Sequence, residues 1–110
     1  MSQTVARSTS RAPGRAEIIA RLRAHAGEIR GHGIVDLAIF GSRARGDERP
    51  DSDLDVLAGY DPKRPFTLYD LVRVERLLEE ITGLDVHVST RDGLHPQQLD
   101  RVLSEAISVL

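Results

Sequence analysis

The chain has 110 residues, enough for one domain with a modest core. Its formal net charge is −2 and it contains no cysteine, which excludes nucleic-acid binding driven by bulk positive charge, disulfides and thiolate metal sites. No apolar run approaches the roughly 20 residues of a membrane span. We therefore expect a cytoplasmic protein with no membrane partner and no direct nucleic-acid binding.

The N-terminal segment differs in composition from the rest of the chain. Its sequence, MSQTVARSTSRAPGR, contains three arginines, no acid and few apolar residues. Such a composition cannot bury enough apolar surface to fold. We predict a disordered basic tail over residues 1–15 and one domain over residues 16–110.

The first half of the domain alternates helix and strand signals. Apolar residues at helical spacing predict a helix from Ala16 to Arg30, ended by Gly31 and Gly33. The β-branched segment Ile34–Phe40 predicts a buried strand. The polar segment Arg43–Ser52 predicts a loop, and Asp53–Gly59 predicts a second strand.

The second half is predicted to contain a helix, a strand and a last helix, with no internal repeat of the first half. Thr67 predicts the N-cap of a helix over Leu68–Thr82, and Leu84–Val88 predicts a third strand. Pro96 starts a last helix, whose apolar stripe continues to Leu110. The order predicts an α+β fold in which helices pack on one face of a small mixed β-sheet.

Two acids lie one residue apart at the start of the second strand. Alternation along a strand places Asp53 and Asp55 on one face and their apolar neighbours on the other. Two close carboxylates raise each other's pKa unless a cation neutralises them, and Mg²⁺ binds such pairs together with substrate phosphates. The same spacing also fits an incidental pair of surface acids.

The third strand has the same pattern. Asp85 and His87 share one face, so Asp85 would join Asp53 and Asp55 if the two strands are neighbours. Three carboxylates on one face would form a two-metal site for phosphoryl chemistry. His87 alone is more typical of an exposed strand residue than of a ligand.

A glycine turn follows the first strand directly. Gly41 and Ser42 can bring backbone N–H groups and a hydroxyl close to a phosphate, and Arg43 and Arg45 add positive charge. A tight turn with solvated arginines is the alternative interpretation. The Lys-Ser/Thr ending of a Walker A loop is absent.

Taken together, these motifs resemble the minimal nucleotidyltransferases of the DNA polymerase β-like superfamily. The residues that carry the resemblance are Gly41-Ser42-Arg43-Ala44-Arg45-Gly46, Ser52-Asp53-Leu54-Asp55-Val56-Leu57 and Leu84-Asp85-Val86, with the final RVLSEAISVL. The similarity covers roughly residues 16–110. One departure is His87, where this family is expected to have an apolar residue.

The resemblance implies the polymerase β-like nucleotidyltransferase fold and a set of roles. Gly41 and Ser42, with Arg43 and Arg45, would bind the triphosphate of ATP. Asp53, Asp55 and Asp85 would be catalytic and would bind two Mg²⁺ ions, with Asp85 helping to activate the acceptor hydroxyl. AMP would be transferred and pyrophosphate released.

The resemblance also implies a partner. Similar short proteins are antitoxins that attach AMP to a tyrosine of a co-encoded HEPN ribonuclease toxin, so a hetero-oligomer is expected. Alternatives are an antitoxin that neutralises its partner by binding alone, and a nucleotidyltransferase that modifies a small molecule.

Overall fold

A four-stranded mixed sheet forms the centre of the computed structural model, which describes residues 12–110. Its strands are β1 (Ile34–Phe40), β2 (Leu54–Tyr60), β3 (Val86–Thr90) and β4 (Ile107–Ser108), in the spatial order β3-β2-β1-β4. β1 pairs antiparallel with β2 and with β4, whereas β2 pairs parallel with β3. The predicted α+β fold with a small mixed sheet is therefore confirmed.

Within residues 12–110, five helices connect and cover these strands. They are α1 (Arg15–Ala24), α2 (Ala26–Gly31), α3 (Ser42–Arg45), α4 (Leu68–Thr82) and α5 (Pro96–Glu105). α4 begins where predicted, because Thr67 and Asp70 form a capping box, and it ends at Gly83 in the left-handed region.

One face of the sheet carries the main core. Its buried side chains come from alternate strand positions, from the apolar stripes of α1, α2 and α4, and from Ala44 of α3. They include Ile18, Leu22, Ile29, Leu37, Ile39, Leu54, Val56, Val74, Leu78, Val86 and Val88. α5 contributes no residue to this core and lies against the opposite face, where its Val102 is buried.

The predicted last helix is wrong beyond Glu105. Ala106 adopts an extended backbone, and Ile107 and Ser108 pair with β1. The Val109 N–H donates to the Leu37 carbonyl at 2.9 Å, and the Val109 side chain is buried. The backbone N–H and C=O groups at the free edge of β1 require hydrogen-bonding partners. Pairing with this edge therefore determines the conformation of residues 107–108, although the apolar residues are spaced as in a helix.

Smaller differences concern element boundaries. The predicted first helix begins at Arg15 and is divided into α1 and α2 at His25, whose backbone leaves helical geometry. The predicted loop Arg43–Ser52 begins inside the short helix α3. Of the predicted tail, residues 1–11 lie outside the described residues. No helix within residues 12–110 is long and apolar enough to cross a membrane.

Candidate active site

Asp55 lies on the face of the sheet opposite the main core. Leu54 and Val56 are fully buried in that core, so Asp55 between them points the other way. The register places Asp55 between Phe40 of β1 and His87 of β3. Asp55 therefore sits in the middle of the sheet, where its carboxylate is only 33% exposed.

The glycine turn folds back over this carboxylate. Gly41 has φ 77° and ψ −159°, a conformation that is essentially restricted to glycine. A Cβ atom added there would lie 2.3 Å from Asp55 Oδ2. The missing side chain thus lets the backbone of the turn approach Asp55, which brings the predicted phosphate-binding and metal-binding groups together.

A cavity of about 490 Å³ opens between this face of the sheet and α5. The sheet and the turn contribute Phe40, Gly41, Ser42, Arg45, Asp55, His87 and Ser89. The other wall consists of Leu94, Gln98, Arg101, Val102 and Glu105. Of the seven predicted site residues, four line the cavity: Gly41, Ser42, Arg45 and Asp55.

The environment of Asp55 makes its charge unfavourable. Burial raises the pKa of its carboxyl above the ordinary value of 3.8, the neighbouring His87 opposes the change, and the charge of Asp53 adds to it. The ring nitrogen Nδ1 of His87 lies 4.0 Å from Asp55 Oδ1. A cation bound here would therefore stabilise the ionised form of Asp55.

A second acid already occupies donors of the turn. The Gly41 N–H donates to Glu105 Oε1 at 3.0 Å, and Arg45 Nη1 donates to both carboxylate oxygens of Glu105 at 3.2 Å. Arg45 also pairs with Asp47. The hydrogen bonds that Arg45 donates to Asp47 and then to Glu105 raise the pKa of its guanidinium, so it stays charged.

Arg43, for which the sequence predicts a nucleotide-binding role, does not line this cavity. Its side chain is 2% exposed and donates to the carbonyls of Ser52 at 3.0 Å and Pro50 at 3.4 Å. It lines a different cavity, together with Pro50 and Thr82. Arg43 therefore holds the loop that leads into β2, and Arg45 is the arginine of the site.

The three predicted carboxylates do not converge. Asp53 is exposed directly before β2, and its charge acts on Asp55. Asp85 is exposed one residue before β3, where its carbonyl accepts from the Leu54 N–H at 2.8 Å, and neither acid lines the cavity. Within residues 12–110, no three acidic, histidine or cysteine side chains are close enough to hold a metal.

His87 of β3 also lines the cavity. The parallel register sets it directly beside Asp55, and its side chain is 66% exposed at the cavity. Asp53 and Asp55 are a donor set that suits one Mg²⁺ ion completed by water and phosphate oxygens. A second Mg²⁺ ion would need Asp85 as a further ligand, and within residues 12–110 Asp85 does not line the cavity.

The contribution of α5 was missed from the sequence. The sequence analysis uses only its apolar stripe, although Gln98, Arg101 and Glu105 form a polar stripe at spacings of three and four residues. Such a stripe on a helix that crosses a sheet was the available signal. It would have indicated a polar wall facing the strands.

Comparison with known proteins identifies what this arrangement resembles. The family model of the nucleotidyltransferase domain matches residues 19–109. The "Putative protein adenylyltransferase MJ0435" of Methanocaldococcus jannaschii is 42% identical over 79 residues, which are 72% of this chain and 83% of that protein. The "Protein adenylyltransferase MntA" of Thermococcus cleftensis is 33% identical over 94 residues, covering 84% and 93%.

Solved structures with a similar fold include another nucleotidyltransferase. A structure described as a "putative minimal nucleotidyltransferase" has a TM-score of 0.74 and 38% identity, covering 86% of this chain and 95% of that one. A more distant structure has a TM-score of 0.58 and 11% identity, covering 80% and 68%. It is described as a tri-AMPylated HEPN toxin of Shewanella oneidensis in complex with an MNT antitoxin, and its likeness concerns the fold alone.

Proposed function

Because the chain belongs to the nucleotidyltransferase domain family, it is a nucleotidyltransferase, and we propose that it transfers AMP from ATP to a tyrosine hydroxyl of a partner HEPN ribonuclease toxin. Modification of the toxin would neutralise it, and the two proteins would form a hetero-oligomer. The observation that carries the proposal is the contact between the glycine turn and Asp55, which joins phosphate donors to a metal-binding carboxylate in one cavity.

The residues of the turn bind the phosphate chain of ATP. The Gly41 N–H, the Ser42 hydroxyl and the Arg45 guanidinium are donors at one side of the cavity, where they can hold non-bridging phosphate oxygens. Mg²⁺ held by Asp53 and Asp55 would supply positive charge where negative charge develops on the phosphate oxygens and the leaving group.

Transfer is a substitution at the α-phosphorus. The tyrosine oxygen forms a bond to this phosphorus, the bond from phosphorus to the oxygen that bridges the β-phosphate breaks, and pyrophosphate leaves with the bonding electrons. The hydroxyl proton passes to His87, because its exposed ring lines the cavity and its Nδ1 lies 4.0 Å from Asp55 Oδ1. Catalysis then depends on positioning and charge neutralisation.

The partner assignment draws on the relatives. Relatives that this chain covers over most of their length are named protein adenylyltransferases, and a protein of the same fold is found with an AMPylated HEPN toxin. The cavity supports a protein acceptor, because His87 is exposed at its edge and can be reached by a side chain of another molecule.

The test is a labelling experiment. The purified protein is incubated with Mg²⁺, ATP labelled in its α-phosphate and the HEPN protein encoded beside it. We expect label to move to the HEPN protein with the wild type and with Asp51→Asn, an exposed acid outside the cavity. The double variant Asp53→Asn/Asp55→Asn should transfer no label to the HEPN protein.

Other outcomes assign other functions. A tight complex without transfer would identify an antitoxin that acts by binding alone. Transfer to a small-molecule hydroxyl, with the HEPN protein left unlabelled, would identify a small-molecule nucleotidyltransferase.

A further inference from the structure

Resting on the proposed function, we infer that Glu105 is an internal occupant of the phosphate-binding donors and that it selects ligands with a polyphosphate chain. Its carboxylate accepts a hydrogen bond from the Gly41 N–H and pairs with Arg45. These are two of the donors that the nucleotide needs. A phosphate must therefore displace Glu105 before it can bind.

The fold forces this contact. β4 pairs antiparallel with β1 through Ile39–Ile107 and Ala38–Ser108. Continuing this register by two residues places Glu105, the last residue of α5, opposite Gly41. The carboxylate thus reaches the turn from a fixed position on the neighbouring chain segment.

The chemistry of the contact resembles phosphate binding. Glu105 presents two anionic oxygens to one backbone N–H and one guanidinium nitrogen, which is the way that a phosphate group presents its non-bridging oxygens. The Glu105 side chain is only 23% exposed, so water competes weakly for it. One phosphate group replaces one carboxylate with little net gain.

A longer phosphate chain changes this balance. A triphosphate offers more anionic oxygens than Glu105 and can contact Ser42 as well as the two donors that Glu105 vacates. Adenosine monophosphate and orthophosphate cannot extend their contacts in this way. Glu105 therefore discriminates against short phosphates, which include the monophosphate left by hydrolysis of ATP.

Calorimetry with four probes tests the inference: tripolyphosphate, α,β-methylene-ATP, AMP and orthophosphate. The variant Glu105→Gln keeps the size of the side chain and removes its charge. Its affinity for AMP and orthophosphate should rise about tenfold or more, since a hydrogen bond to a charged group no longer competes. Asp100→Asn removes the same charge from an exposed position of α5 outside the cavity and should change nothing.

The signs of the results separate the possibilities. Unchanged or weaker binding by Glu105→Gln would overturn the inference, because Glu105 would then order the turn rather than compete for it. An equal rise in the affinity of Asp100→Asn for AMP and orthophosphate would also overturn the inference, because the rise would then reflect the net charge of the protein. If neither wild type nor variant binds any probe, the proposed function fails together with the inference.

Discussion

Replacing Gly41 by alanine tests the close approach of the turn to Asp55. The new Cβ would lie 2.3 Å from Asp55 Oδ2, whereas ordinary contacts begin near 3.4 Å. Asp55 must therefore move by about 1 Å, at a rotamer cost of about 0.5–1.5 kcal/mol. The backbone conformation of Gly41 adds about 1–3 kcal/mol for any other residue.

We expect Gly41→Ala to lower the free energy of unfolding by about 2–4 kcal/mol, which corresponds to at least about 10 °C in Tm for a domain of this size. Gly46 is the matched control. It also has a positive φ, of 88°, but a Cβ there would meet nothing within 4 Å. Gly46→Ala should cost only the backbone term of about 1 kcal/mol.

Thermal melts of four variants check the steric part separately. Asp55→Ala removes the group that the new Cβ would meet, so Gly41→Ala should be less harmful in that background than in the wild type. Equal melting temperatures of Gly41→Ala and Gly46→Ala would refute the reasoning. So would a Gly41→Ala effect that does not depend on Asp55.

Three further predictions concern single side chains. Arg43→Met should lower the free energy of unfolding by about 2 kcal/mol, because the carbonyls of Pro50 and Ser52 lose their donor. Its affinity for α,β-methylene-ATP, measured by calorimetry, should change little. Unchanged stability with a loss of this affinity would instead assign Arg43 to nucleotide binding. His87→Asn should slow labelling of the HEPN protein about 100-fold, whereas Asp85→Asn should slow it little. A larger effect of Asp85→Asn would contradict the assignment of His87 as the group that accepts the tyrosine proton. The raised pKa of Asp55 means that the folded protein holds this proton more tightly than the unfolded chain, so the stability of the metal-free protein should fall as pH rises from 3.8 through the folded-state pKa. Thermal melts of Asp55→Asn across this pH range should lack this fall in stability. Identical pH profiles of the wild type and Asp55→Asn would contradict the raised pKa of Asp55.

Local patterns predicted the strands and the turn well, because their signals are short-range. Alternation around Asp55 and the β-branched residues of β1 are visible in the sequence itself, and both are found in the structure. The partner of Asp55 could not be predicted in this way. Whether Asp85 or His87 lies beside it depends on the register between β2 and β3, which is set by packing of the intervening α4 on the core.

The same limit applies to α5. Apolar residues after Glu105 fit both a helix and a strand, and the choice depends on the free edge of β1, which is distant in sequence. The direction of Arg43 is also a tertiary property, because the carbonyls that it contacts belong to a loop without regular structure. These interactions between distant segments explain why the composition of the cavity differs from the predicted site.

The small size of β4 has a consequence for the dynamics of the molecule. Its two residues join α5 to β1 through few backbone hydrogen bonds, and short segments of this kind open locally at a much lower free energy than the whole domain unfolds. Because Glu105 lies only two residues before this strand, each opening event would loosen its hold on the turn. Amide hydrogen exchange at β4 would then report how often the phosphate-binding donors become free.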